Sequence, residues 1–258
     1  MIETKKLTKK FGDLTAVDSI DLKVKKGEVF GLLGPNGAGK TTTISMLSTI
    51  LRPTRGEATI NGHDLKKNRN EVRQSIGIVF QDTTLDEELT GYENMEFHAR
   101  LYGMPKQEIE KRTMELLELV ELTDKRNNPV KNYSGGMKRR LEIARGLLHL
   151  PRVLFLDEPT LGLDPQTRRY LWEYIQEMNK KEEVTILLTT HYMEEADVLC
   201  DRIAIIDHGK IVALDTPKAL KKKHNAETLE EVFLGLTGRK IREETASSRD
   251  AWKARRRR

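Results

Sequence analysis

The stretch Gly34-Pro35-Asn36-Gly37-Ala38-Gly39-Lys40-Thr41-Thr42 restricts this chain more than any other. Two glycines separated by four residues, then a lysine and a hydroxyl, fit the spacing of a phosphate-binding loop. Glycine lets the backbone turn so that successive N–H groups face inward, and it keeps side chains out of the way of phosphate oxygens. Lys40 is placed to reach β- and γ-phosphates, and Thr41 to offer its hydroxyl to a magnesium ion held by them. The flanks agree. Val29 to Leu33 is a short apolar run suited to a buried strand, and Thr41 to Leu51 reads as a helix whose N-terminus faces the anion. A chance Gly-rich turn would need neither flank.

A chain of 258 residues can bury a substantial core without covalent staples. Cys200 is the only cysteine, which rules out an intrachain disulfide and suits a reducing compartment. No apolar run approaches the ~18 residues that cross a bilayer, and Met1 to Lys6 lacks the apolar stretch of a signal peptide. These features predict a soluble, cytoplasmic protein. The formal charge of +5 is held entirely by Lys253 and Arg255 to Arg258. The remaining neutral body, poor in aromatics, argues against nucleic acid as a partner. The basic tail reads as a solvated run or as a contact with anionic membrane.

The pattern along the chain is α/β with an interruption. Ile2 to Leu7 and Ala16 to Val24 alternate as strands, Glu57 to Ile60 follows as another, and Asn61-Gly62 marks a turn. Phe11, between the first two strands, is either an edge aromatic or a platform for stacking on adenine. Ser75 to Phe80 is a buried-strand run that stops at Gln81. Helical character then holds to about Leu150. Thr90 and Glu93 have capping-box spacing, Gly103 and Pro105 separate two helices, and a third begins near Ser134. The second carries Ile109, Thr113, Leu116, Leu117 and Val120 on one face. Strands return at Arg152 to Leu156 and Val184 to Thr189, with a helix over Pro165 to Met178 and a hairpin about Asp207-His208-Gly209-Lys210. Four apolar strands thus run into polar residues at their carboxyl ends: the phosphate loop, Gln81, Asp157 with Glu158, and His191. Ligand sites of parallel α/β sheets lie at those ends, so these residues are expected to share one site.

Triphosphate hydrolysis needs positioning, a metal across the phosphate oxygens and a group that orients water. Asp157 is the candidate to hold magnesium, directly or through water. Glu158 would accept a proton from the attacking water or orient it. His191 would touch the γ-phosphate or steady the water, and Gln81 would sense both metal and γ-phosphate. Ser134-Gly135-Gly136 opens a helix with free N–H groups, a second anion site. Two phosphate sites in one chain suggest two nucleotides shared across a dimer.

Gly34 to Thr42, Gln81, Tyr133-Ser134-Gly135-Gly136-Met137, Leu154 to Pro159, Gly162-Leu163-Asp164 and His191, in this order, resemble the ATP-binding subunit of an ABC transporter. Tyr133 to Leu141, Thr189 to Asp197 and Thr228 to Leu234 look like the ABC-2 exporter subgroup that includes daunorubicin-resistance ATPases. The resemblance implies a phosphate-loop NTPase (RecA-like) α/β core with an N-terminal antiparallel β subdomain and an inserted α-helical subdomain. Core residues would be 1–85 and 150–222, the insert 86–149, and 223–258 a C-terminal helix and basic tail. It also implies a head-to-tail homodimer with ATP between the phosphate loop of one subunit and Ser134, Gly135 and Gly136 of the other, and Asp164 at the interface. Phe11 gains weight as the adenine platform, and Gln81 becomes the link to a separate transmembrane permease that docks near the helical subdomain. The protein would then sit at the inner face of the cell membrane only through that partner, driving export by hydrolysing ATP with Mg2+.

Leu161 stands where a small residue is common in that family, and Met137-Lys138 where glutamine is common. Neither change removes a catalytic group. The chain ends soon after Arg239, so no added regulatory domain is expected. A soluble ABC-type switch without a membrane partner is the alternative. A chain that only binds nucleotide is disfavoured by the presence of Lys40, Asp157, Glu158 and His191 together.

Overall fold

Ten strands form two sheets among residues 1–238, the part of the chain that the computed structural model describes. The basic tail lies outside the described residues. The first sheet is antiparallel, ordered β2 (Leu14–Val24), β1 (Ile2–Phe11), β4 (Arg55–Ile60), β5 (His63–Asp64). Its first two strands run further than the alternation predicts, meeting at a Phe11↔Leu14 pair around a turn where Gly12 takes φ 59°. One extra residue of β1 between Thr4 and Leu7 shifts the register, with Lys6 in left-handed backbone at φ 48°. Such a bulge breaks the period of two by which a strand is recognised.

The second sheet is ordered β10 (Lys210–Asp215), β9 (Arg202–Asp207), β3 (Val29–Leu33), β8 (Thr185–Thr190), β7 (Val153–Asp157), β6 (Ile76–Val79). All neighbours are parallel except the β9–β10 hairpin. Its central strands are buried on both faces, which is why they read as unbroken apolar runs. Alternate residues serve different cores. Val153 and Phe155 pack with Phe30, Ile44 and the inner face of the first sheet, whereas Leu154 and Leu156 pack with the helices on the other side. Complete burial of a side chain such as Phe155 contributes roughly 1.5–3 kcal/mol.

Helix α1 (Lys40–Leu47) follows β3, and α2 (Arg69–Ser75) precedes β6. The sequence predicts that the first helix continues to Leu51; it stops at Leu47 because Thr49 turns to φ 65°. Arg69 and Arg73 hold that turn by donating to the carbonyl and hydroxyl oxygens of Thr49. Between β6 and β7 stand α3 (Gly91–Leu101), α4 (Lys106–Leu119) and α5 (Gly135–Gly146). Thr90 and Glu93 form the expected capping box, and the hydroxyl of Ser134 accepts from the N–H of Met137 to start α5. The remaining helices are α6 (Pro165–Glu182), α7 (Met193–Leu199), α8 (Pro217–Lys223) and α9 (Leu229–Thr237). Among the described residues no helix is long and apolar enough to cross a membrane.

Candidate functional site

Register places the strand ends side by side. Leu33 pairs with Thr190, Asp157 with Thr189, and Val79 with Leu156, so Gly34, His191, Glu158 and the Phe80-Gln81 segment emerge along one edge. The loop after β3 lies tight against its neighbours. A Cβ on Gly34 would lie 2.5 Å from the Ile206 carbonyl oxygen, and one on Gly39 would lie 2.5 Å from that of Ala16. Gly39 also takes φ 108° as it turns into α1, a backbone that other residues avoid. The two glycines thus let the loop fold where any side chain would push it away.

Lys40 is buried beneath the loop. Its Nζ donates to the carbonyls of Gly34 at 2.8 Å and Pro35 at 3.2 Å, and lies 3.1 Å from Glu158 Oε1. On the other side of that carboxylate, His191 Nδ1 lies 3.2 Å from Oε2, in electrostatic range without hydrogen-bond alignment. Glu158 itself sits in left-handed backbone at φ 50°. Burial works to raise its pKa, but the His191 ring and the Lys40 amine outweigh it and hold the carboxyl below its ordinary value. Glu158 is therefore ionised at neutral pH and able to accept a proton.

Asp157 is poised differently. Its Oδ1 accepts from Thr189 Oγ1 at 2.5 Å and Thr41 Oγ1 at 3.2 Å. Burial raises its pKa, opposed by those two hydroxyls and by Lys40, and reinforced by the neighbouring charge of Glu158. Two adjacent carboxyls are thus pushed in opposite directions, a pattern frequent at reactive sites. No group of three or more His, Cys, Asp or Glu among the described residues makes a metal cage. Thr41 and Asp157 instead offer two hard oxygen donors beside a phosphate loop, a set that fits magnesium completed by phosphate and water oxygens.

The other expected residues lie at greater remove. Phe11 ends β1 in the antiparallel sheet, half-buried, with Lys9 Nζ 5.0 Å from its ring centroid. The Gln81 side chain is exposed after β6. Ser134 and Gly135 are exposed at the start of α5, where Leu163 Cδ2 would be 3.6 Å from a Cβ on Gly135. Gly136 is buried against α6, and a Cβ there would meet Thr167 Cγ2 at 2.5 Å. Asp164 caps that same helix by accepting from the N–H of Thr167 at 3.0 Å.

Several contacts have no counterpart in the sequence reading. Thr189 links the Asp157 carboxylate to the Glu158 main chain, donating to Asp157 while its oxygen accepts from the Glu158 N–H at 3.0 Å. Adjacent parallel strands ending together were the available signal, but strand order had to be known. Glu195, fully buried on α7, accepts from Thr160 Oγ1 at 2.8 Å and Trp172 Nε1 at 3.0 Å, tying the segment after Glu158 to the helix after His191.

The ABC transporter family matches residues 17–161 of this sequence. This chain belongs to the ABC transporter family. A linearmycin resistance ATP-binding protein of Bacillus subtilis is 42% identical over 89% of this chain and 73% of its own length. A daunorubicin/doxorubicin resistance ATP-binding protein of Streptomyces peucetius is 46% identical over 88% of this chain and 69% of its own. A solved ATP-binding subunit of an ABC transporter superposes with TM-score 0.81 at 31% identity, covering 92% of this chain and 99% of that one. A dimeric ATP-binding cassette in a post-hydrolysis state with ADP and Pi superposes with TM-score 0.74 at 29% identity, covering 84% and 98%. The fold is the phosphate-loop α/β architecture with its antiparallel sheet. The ABC protein is an ATPase, the ATP-binding subunit of a transporter that works with a membrane partner.

Proposed function

We propose that this ABC ATPase drives export through a separate permease, with Glu158 as the base that activates water. The observation that carries this reading is the placement of Glu158 between Lys40, 3.1 Å from one carboxylate oxygen, and His191, 3.2 Å from the other. The phosphate loop from Gly34 to Thr42 binds the triphosphate with its N–H groups, and Lys40 exchanges loop carbonyls for phosphate oxygens. Thr41 and Asp157, with Gln81 at the edge, would hold magnesium, which would supply neutralisation of phosphate charge. Glu158 takes a proton from the water, and His191 holds it toward the γ-phosphate. Phe11 stacks on adenine.

Ser134, Gly135 and Gly136 of a second copy close over the nucleotide to complete a head-to-tail homodimer. Exposure of Ser134 and Gly135 at a helix N-terminus supports that role. Residues 1–85 and 150–222 act as the catalytic core, 86–149 as the helical arm and 223–258 as a terminal extension. Phe97, Leu101 and Leu150, all exposed, suit the surface met by the permease at the inner face of the membrane. The resistance functions in the names of the relatives support export as the direction of transport.

Tagged Glu158→Gln, pulled from solubilised membranes with ATP present, tests the reading. A stoichiometric polytopic partner is expected. ATP-dependent dimers without any membrane protein would contradict it and favour a soluble switch.

A further inference from the structure

Arg139 and Glu142 lie one turn apart on α5 and are 7% and 3% exposed. Such an i, i+3 pair ordinarily belongs on a solvated helix face. Here the guanidinium donates to the main-chain oxygens of Phe80 at 2.6 Å and Gln81 at 2.9 Å, and to Glu142 Oε2 at 3.0 Å. The other carboxylate oxygen of Glu142 accepts from the Thr84 N–H at 2.7 Å. One turn beyond Glu142, Arg145 donates to the Thr84 carbonyl at 3.0 Å and to its hydroxyl. The backbone from Phe80 to Thr84 is thereby fastened at three residues to the helix that Ser134 starts. Burial works against the Arg139 charge, while Glu142, Asp157 and Asp82 favour it.

We infer that the buried Arg139–Glu142 pair is a positioning device that makes the Gln81 segment and the Ser134 helix move as one piece. This rests on the proposed roles of Gln81 and Ser134. Gln81 belongs to the nucleotide bound by its own subunit, whereas Ser134 serves the nucleotide of the partner subunit. A displacement of Gln81 on binding triphosphate is then transmitted along α5 to the residues that close the opposite site. The fork geometry of arginine is what the contact uses, since lysine cannot span both carbonyls and the carboxylate.

The test is the double variant Arg139→Met/Glu142→Leu, measured for thermal stability, ADP affinity and steady-state hydrolysis of MgATP. Apolar replacement of a buried ion pair is often neutral for stability, so a folded protein with parent-like ADP binding is expected. Loss of positioning predicts a fall in kcat of roughly 10- to 100-fold. On a Gln81→Ala background the same pair of changes should add little, because both act through one segment. Parent-like kcat in the folded double variant, or losses that simply multiply with that of Gln81→Ala, would overturn the inference. Should the double variant fail to fold, Arg139→Lys, which keeps the charge opposite Glu142, must still lower kcat; parent-like kcat there overturns it equally. A parent protein that does not hydrolyse MgATP would instead sink the functional reading beneath it.

Discussion

Glu158→Gln separates the structural work of this carboxylate from its chemical work. Lys40 Nζ is held by Gly34 and Pro35 carbonyls at 2.8 and 3.2 Å as well as by Glu158. The amide keeps an oxygen for Lys40 and loses only the charge. The difference between a charge-assisted and a neutral hydrogen bond is about 1 kcal/mol. Relief of the repulsion from Asp157 offsets part of that. A loss of ~1 kcal/mol in a chain of this size lowers the unfolding temperature by about 2–4 °C. Removal of a general base costs far more in rate, roughly 10²- to 10⁴-fold. That corresponds to about 3–5 kcal/mol of barrier. Thermal unfolding beside single-turnover hydrolysis of ATP reads both quantities from one preparation. A variant that melts early yet hydrolyses within about threefold of the parent would refute the base assignment and leave Glu158 as a structural partner of Lys40.

Gly34→Ala places its Cβ 2.5 Å from a backbone oxygen of Ile206, and the overpacking should cost ~1–3 kcal/mol, seen as a lower unfolding temperature together with weakened ATP binding. Unchanged values for both would show that the loop relaxes freely. His98 is pushed from 6.5 to about 4, chiefly by burial and then by Arg145 and His149. Because its folded pKa is depressed, the stability it contributes is present above pH 6.5 and lost as pH falls through about 4, since the unfolded chain takes up the proton first. The shift corresponds to an effect of ~3 kcal/mol, so His98→Gln should flatten the acid side of the stability profile. An NMR titration of His98 near its ordinary value would refute that account.

Buried strands were the most legible part of this chain, because burial on both faces leaves nothing but apolar residues between Val29 and Leu33 and between Val153 and Leu156. The phosphate loop was legible for the opposite reason: its glycines stand where Ile206 and Ala16 leave no room for a side chain. What sequence could not show depends on distant partners. Neither the bulge at Lys6 nor the early end of α1 has a local signal, since one depends on pairing with β2 and the other on Arg69 and Arg73. Short α7 also escaped detection, its seven residues giving too little period to distinguish from a loop. Arg139 and Glu142 look in sequence like any surface pair, and their meaning appears only once Phe80 and Gln81 are seen beneath them. Asp157, Glu158 and His191 became a site by register, although each had been marked by the strand that precedes it.

In the proposed dimer each reaction site combines the phosphate loop of one copy with the Ser134 helix of another. Mixing Lys40→Ala protein with Ser134→Ala protein and measuring ATP hydrolysis tests it most directly. Each variant alone has both sites damaged. In a mixed dimer one site receives the intact loop and the intact Ser134, so activity should reappear on mixing and rise with the heterodimer fraction. If the two residues served the same nucleotide within a single chain, every site would stay damaged and the mixture would remain as inactive as its components.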